Sequence, residues 1–246
     1  MHYRLERNIV RDDIVSLLTK YIQNKSGMKE TSLNASGGVC DMTIAEVTAG
    51  VAVFLIAGFE TVAYTLTFAA YELAINPEVQ KKVCNEIEET LNKYDGELTF
   101  DAINSMNYIE NVIFEALRIH LFLSIIDRRC TKNYTIEPER PDEKPVHLRK
   151  GDCIWIPAGA IHHDPKYYPN PQKFDPDRFE RKKPFSLMPF GVGSRNCLGS
   201  RFGMMECKLI LVEILRSFDI VQTISSQPTM AGKLIGLNRK IIRNKV

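Results

Sequence analysis

No C-x-x-C pair occurs among the six cysteines, Cys40, Cys84, Cys130, Cys153, Cys197 and Cys207. That spacing argues against a structural zinc site and against a thioredoxin-type redox pair. No secretory signal opens the chain, because residues 1–11 are charged and lack an apolar stretch. The even cysteine count therefore does not argue for disulfides, and reduced thiols in a cytosol-facing protein are expected. No long basic run accompanies the net charge of +2, so nucleic-acid binding has no electrostatic support. Tryptophan is nearly absent, and the single residue, Trp155, is expected in the core. No Lys or Arg lies between Lys29 and Lys81, so the long apolar run in that interval lacks a positive-inside flank.

What is present suits a globular chain. A length of 246 residues allows one large domain or two small ones. Residues 3–29 read as a polar helix in which Asp12 and Asp13 favour the start, followed by loop signals at Ser26-Gly27 and over 32–38. Residues 42–75 form the longest apolar stretch, opened by a capping box of Thr43 and Glu46. It is long enough to cross a bilayer. Glu60 near its middle would be costly there. A helix buried in a protein core fits at least as well. Asn76-Pro77-Glu78 starts the next helix, which stops near Asp95-Gly96. Thr99 and Asp101 open short helical turns before a helix over 108–120. Within that helix Glu115 and Arg118 share a face. Short strands follow at 134–136, 146–148 and 153–156. His162 and His163 are adjacent and lack a suitably spaced third ligand, so metal binding is not expected. Residues 200–218 pattern as an amphipathic helix with Phe202, Met205, Leu209, Val212 and Leu215 on one face. The tail, 219–246, reads as a hairpin.

The chemistry concentrates at 190–199, where glycines, one arginine and one cysteine precede the last helix. Glycines allow positive φ and close approach to a flat ligand. A cysteine at a helix N-terminus faces the positive end of the dipole, which favours its thiolate. An arginine two residues earlier can pair with an anion on the same ligand. A metal-bound planar anion such as haem fits that set.

The pattern Phe190-x-x-Gly193-x-Arg195-x-Cys197-x-Gly199 resembles the haem-binding loop of the cytochrome P-450 family. Three further segments resemble the family in the same order. Ala57-Gly58-Phe59-Glu60-Thr61 is similar to its A-G-x-E/D-T segment, Glu115-x-x-Arg118 to its E-x-x-R, and Phe174–Phe179 to its P-E-R-F box, with Asp177 in place of the common glutamate. The resemblance implies a mainly α fold with a small β region, α+β. It implies Cys197 as axial ligand of haem b, with Phe190, Gly193 and Gly199 shaping the loop. Arg195 and Arg128 would meet the propionates, and Ala57-Gly58 would leave room beside the iron. Thr61 and Glu60 would relay protons. Glu115, Arg118 and Arg178 would form a buried network that holds the cysteine loop. The implied reaction is monooxygenation of an apolar small molecule, with electrons from NADPH through a reductase. The implied location is the cytosolic face of the endoplasmic reticulum membrane, in the insect-type detoxification branch.

The sequence departs from the family where Leu121-Phe122 replace prolines, where the 180–189 connection is short, and where Gly203 replaces an alanine. Family members are also much longer. The chain resembles their C-terminal half, so a fragment, an incomplete gene model or a shortened product is expected, with membrane association supplied by the missing N-terminal half. A non-catalytic haem-binding remnant, a haem-thiolate isomerase or dehydratase, and a single-span membrane protein are the alternatives.

Overall fold

The computed structural model describes residues 44–181, 183–222 and 235–239, with positions 7, 9, 11, 13 and 16. The expected 3–29 helix, the 32–38 loop, Thr43 and the basic end of the tail lie outside the described residues, save those five positions. There, Asp13 Oδ1 accepts the Ser16 amide at 2.9 Å, the bond of a helix cap. The chain divides into two compact units, 1–60 and 61–246.

Helix α1 (Ile44–Ile75) has no proline to stop it before Pro77. From Val62 onward it packs as a core helix. Val62, Thr65, Ala69, Glu72 and Leu73 are buried at 3–4 spacing. Its earlier turns do not. Val53, Leu55, Ile56 and Phe59 are all exposed, which corrects the reading of this stretch as buried throughout. Over Thr48–Ile75 the helix is long and apolar enough to cross a membrane, with mean hydropathy 1.7.

Helix α2 (Pro77–Lys93) starts at its proline, but Asn76 does not cap it forward. The Asn76 side-chain amide instead donates back to the Glu72 carbonyl at 2.9 Å and to its carboxylate at 3.3 Å. The stop is as expected. Asp95 and Gly96 take φ of 53° and 80°, and the Gly96 amide closes on the Leu91 carbonyl at 2.8 Å. Helix α3 (Phe100–Ser105) is capped by the Thr99 hydroxyl. Helix α4 (Tyr108–Ile119) has no cap of its own. The Glu86 carboxylate of α2 accepts its first amides, Tyr108 and Ile109, at 2.6 and 2.9 Å. A tertiary contact thereby completes a helix end that local sequence leaves open.

Among the described residues the β region is three two-stranded antiparallel sheets. Strands β2 (Tyr134–Ile136) and β3 (Val146–Leu148) form one, and β4 (Cys153–Ile156) lies where it is expected. Its partner β1 (Ile126–Arg129) was not foreseen, since Asp127-Arg128-Arg129 carries no β-rich pattern. Trp155 is 71% exposed, against expectation. Alternation along β4 turns Ile154 and Ile156 inward and Trp155 out. Helix α5 (Ala158–His162) follows directly.

Helix α6 (Ser200–Ser217) buries Met204, Cys207, Lys208, Leu211, Val212 and Leu215. Only the last two of these belong to the expected stripe, and Phe202 and Leu209 are exposed. The offset arises because Lys208 sits on the inward face, where a sequence pattern scores it as polar surface. Strands β5 (Phe218–Gln222) and β6 (Ile235–Arg239) pair as the expected terminal hairpin. Gln80 of α2 holds β5 by exchanging bonds with the Ile220 amide and carbonyl at 2.8 and 2.9 Å.

Candidate functional site

The loop before α6 is closed by its own backbone. The Gly191 amide donates to the Met188 carbonyl at 3.0 Å, and the Cys197 amide to the Phe190 carbonyl at 2.7 Å. Between them Gly193–Arg195 makes one 3-10 turn. Gly191 and Gly193 take φ of 71° and 79°, the left-handed region in which a Cβ is strained. The Phe190 ring meets Phe114 of α4 edge to face, with centroids 6.2 Å apart. These contacts tie both ends of the turn, and Cys197 is presented exposed at its rim. Arg195, in the 3-10 turn, is exposed, and Gly199 is the residue that enters α6.

Beneath α4 lies a buried charge cluster. Glu115 and Arg118 are both fully buried and joined at 2.8 and 2.9 Å through Nε and Nη2. Arg178, in the 3-10 turn Pro176–Phe179, adds its Nε to the same carboxylate at 2.9 Å. The Asp175 amide donates there at 3.0 Å. Arg118 also donates to the carbonyls of His162 and Pro171, each at 2.8 Å. Every charge in the cluster has polar partners, which a buried ion network requires. Beside it, Lys82 pairs with Asp177 at 2.6 Å. Burial raises the Asp177 carboxyl, but hydrogen bonds from Lys82 and Tyr108 with the Lys82 and Lys173 charges together outweigh it, and the net shift is downward.

The remaining candidates lie as follows. Arg128 is half-buried on β1, its Nη1 donating to the Asp127 carbonyl at 2.7 Å. Ala57, Gly58 and Glu60 fall in the first unit and Thr61 in the second. Thr61 is half-buried, and its carbonyl accepts the Thr65 hydroxyl at 2.8 Å.

Three features were missed in the sequence. His162, set aside there as no metal ligand, is fully buried. Its Nε2 accepts the Met188 amide at 3.0 Å. Burial, then the Arg118 charge, push its pKa down to about 4. Lys208 is buried 3.5 Å from Glu110, which also pairs with Lys183 at 2.9 Å. Burial lowers the Lys208 pKa despite Glu110. A lysine amid an apolar stripe was the available signal. Third, a cleft of about 690 Å³ lies between α3, α4 and α6, and Phe202 and Met205 line it rather than the core.

No group of three His, Cys, Asp or Glu able to hold a bare metal ion occurs among the described residues. Cys197 is a single exposed sulfur on a backbone-closed loop. One thiolate suits an iron whose other ligands come with a macrocycle, so the donor set fits haem. The half-buried Arg128 and exposed Arg195 add cationic groups suited to carboxylates.

Comparison with known proteins points the same way. A family model described as cytochrome P-450 matches residues 4–245. Cytochrome P-450 9e2 of Blattella germanica is 42% identical over 241 residues, covering 93% of this chain and 43% of that protein. Probable cytochrome P-450 9f2 of Drosophila melanogaster is 38% identical over 224 residues, 89% of this chain and 42% of that protein. Probable cytochrome P-450 6a13 of the same fly is 37% identical over 232 residues, covering 92% and 44%. The chain thus spans less than half the length of the curated relatives it matches.

Proposed function

The chain belongs to the cytochrome P-450 family, and on that footing we propose that it carries the thiolate-ligand region of a haem-thiolate monooxygenase. The reaction inserts one oxygen atom of O2 into an apolar small molecule, a xenobiotic or an endogenous lipid, with electrons from NADPH through a reductase. The observation that carries this reading is Cys197, exposed at the rim of a loop closed by the 2.7 Å bond from its own amide to Phe190.

Cys197 Sγ would hold the iron of haem b, and Arg195 and Arg128 would bind its carboxylates through charge-assisted hydrogen bonds. Haem, when bound, supplies the redox-active iron at which dioxygen is activated, and the thiolate's electron density favours O–O cleavage. Ala57 and Gly58 would leave space on the oxygen side. Thr61 Oγ1 would donate a proton, and the Glu60 carboxylate would resupply it. These oxygen-side roles rest on the sequence motif. Glu115, Arg118 and Arg178 act away from the reacting atoms, by fixing the segments on which the loop stands. For the whole protein, the endoplasmic reticulum membrane, a reductase partner and a detoxification role are part of this proposal, supported by the likeness to the insect relatives.

The test is the reduced, carbon-monoxide-bound spectrum of the haem-loaded chain. A red-shifted thiolate-type Soret band that Cys197→Ser abolishes is the expected result, and a band that survives the substitution overturns the assignment. A non-catalytic haem-binding role is the alternative outcome of the same test. Haem uptake without NADPH- and reductase-dependent turnover of an apolar probe would select it.

A further inference from the structure

His162 joins the buried charge cluster to the cysteine loop with its two ends. Its backbone carbonyl accepts Arg118 Nη1 at 2.8 Å, and its ring Nε2 accepts the Met188 amide at 3.0 Å. Because Nε2 accepts, the ring is neutral and its hydrogen sits on Nδ1. The ring is fully buried, edge to face with Tyr168 at 6.1 Å between centroids. Tyr168 is itself buried under the Arg118 guanidinium, 5.3 Å away, and its hydroxyl accepts Ser186 Oγ at 3.1 Å. The imidazole is placed by the Met188 amide and the Tyr168 ring, while its buried Nδ1 has no hydrogen-bond partner among the described residues.

Met188 is the residue from which the loop springs. Its amide is held by His162 and its carbonyl by the Gly191 amide at 3.0 Å. Its side chain packs with Leu121 and with Ala158 of α5. Two residues on, the Phe190 carbonyl receives the Cys197 amide. A shift of the Met188 peptide must therefore move the anchor of the turn that presents the sulfur.

We propose that His162 is a positioning residue for the Cys197 thiolate, transmitting the rigidity of the Glu115–Arg118–Arg178 cluster to the loop through its ring bond to Met188. The cluster holds the His162 backbone through Arg118, and the ring covers the remaining step to Met188. This role rests on Cys197 being the haem ligand. The residue type follows from the geometry: a neutral acceptor is needed on a flat, rigid side chain whose carbonyl is already engaged. Lysine or arginine offers no acceptor there, and leucine fills the space without the bond.

The experiment compares the 246-residue chain with its His162→Leu and His162→Gln variants by residue-resolved amide exchange. Glutamine places an acceptor near the position of Nε2. In His162→Leu the Met188, Gly191 and Cys197 amides should exchange about tenfold faster, the factor that one net buried hydrogen bond supports. Amides of α4 around Val112–Ala116 should keep their rates, and His162→Gln should restore the loop. In the haem-loaded chain, His162→Leu should convert part of the red-shifted thiolate band into an unshifted one, and glutamine should reverse this. Unchanged loop exchange in His162→Leu overturns the proposal. So does equal loosening of α4 and loop, which would mark plain support of the fold, and so does a loosened loop with an intact thiolate band. Should His162→Leu unfold the chain, His162→Gln decides: wild-type loop rates support the proposal, and a fast loop over an intact α4 overturns it. Cys197→Ser keeps the two readings apart, because a band surviving there removes the ligand assignment and leaves the exchange result standing.

Discussion

At the scale of single residues, two buried groups set most of the measurable behaviour. His162 is neutral in the folded chain, with its pKa pushed from 6.5 down to about 4 by burial and by Arg118, with His163 adding to the shift. The unfolded chain takes up that proton first. Stability from this group is therefore complete above about pH 6.5 and is lost as the pH falls toward 4. The loss should reach about 3 kcal/mol. Denaturant midpoints measured from neutral pH down to about 4 should show this slope in the wild type and lack it in His162→Gln. Glu115 is the second group. It accepts from Arg118, from Arg178 and from the Asp175 amide with no exposure to solvent. Glu115→Ala would leave two guanidinium groups without their carboxylate and should cost about 3–5 kcal/mol in urea unfolding. A cost below about 1 kcal/mol would show that the cluster is an ordinary surface pair. The sequence placed these residues at helical spacing. Their burial, and the arrival of Arg178 from sixty-three residues away, are facts of tertiary packing.

At the scale of elements, boundaries followed local chemistry and faces did not. The end of α2 was legible because Asp95 and Gly96 accept positive φ. The start of α4 was placed correctly, yet its capping group, Glu86, comes from another helix and no local signal reports it. The buried face of α6 was misassigned because Lys208 lies inside it, paired with Glu110. Trp155 was expected in the core because of its size, but a two-stranded sheet with one packed face sends every second residue outward. Gly203 tests the helix itself. It lies in the first turns of α6, and a Cβ built on it would meet only Val62 Cγ2, at 4.0 Å, an ordinary contact. Gly203→Ala should therefore stabilise the chain by about 0.5–1 kcal/mol, read as a higher thermal midpoint. A lower midpoint would mean that α6 and α1 pack more tightly there than that distance allows.

At the scale of the whole molecule, the exposed face of α1 dominates. Val53, Phe54, Leu55, Ile56 and Phe59 are 44–77% exposed on consecutive turns. Apolar patches of this kind favour association. The 246-residue chain should sediment as more than a monomer and bind a hydrophobic dye. Leu55→Gln, Ile56→Gln and Phe59→Gln together should shift it toward monomer without lowering its helical signal, since none of the three is buried. Unchanged association in the triple variant would place the sticky surface elsewhere.

The sequence by itself determined the family and the order of its motifs. Spacing alone identifies a thiol on a glycine turn before a helix, a glutamate three residues before an arginine, and the strands at 134–136, 146–148 and 153–156. Those features are local, and backbone propensity and covalent spacing decide them. Only the tertiary structure decided which side chains are buried together. It paired β1 with β4, turned Trp155 out and Lys208 in, and brought His162 between Arg118 and Met188. Such choices depend on what each face finds opposite it, and residues distant in the chain supply that.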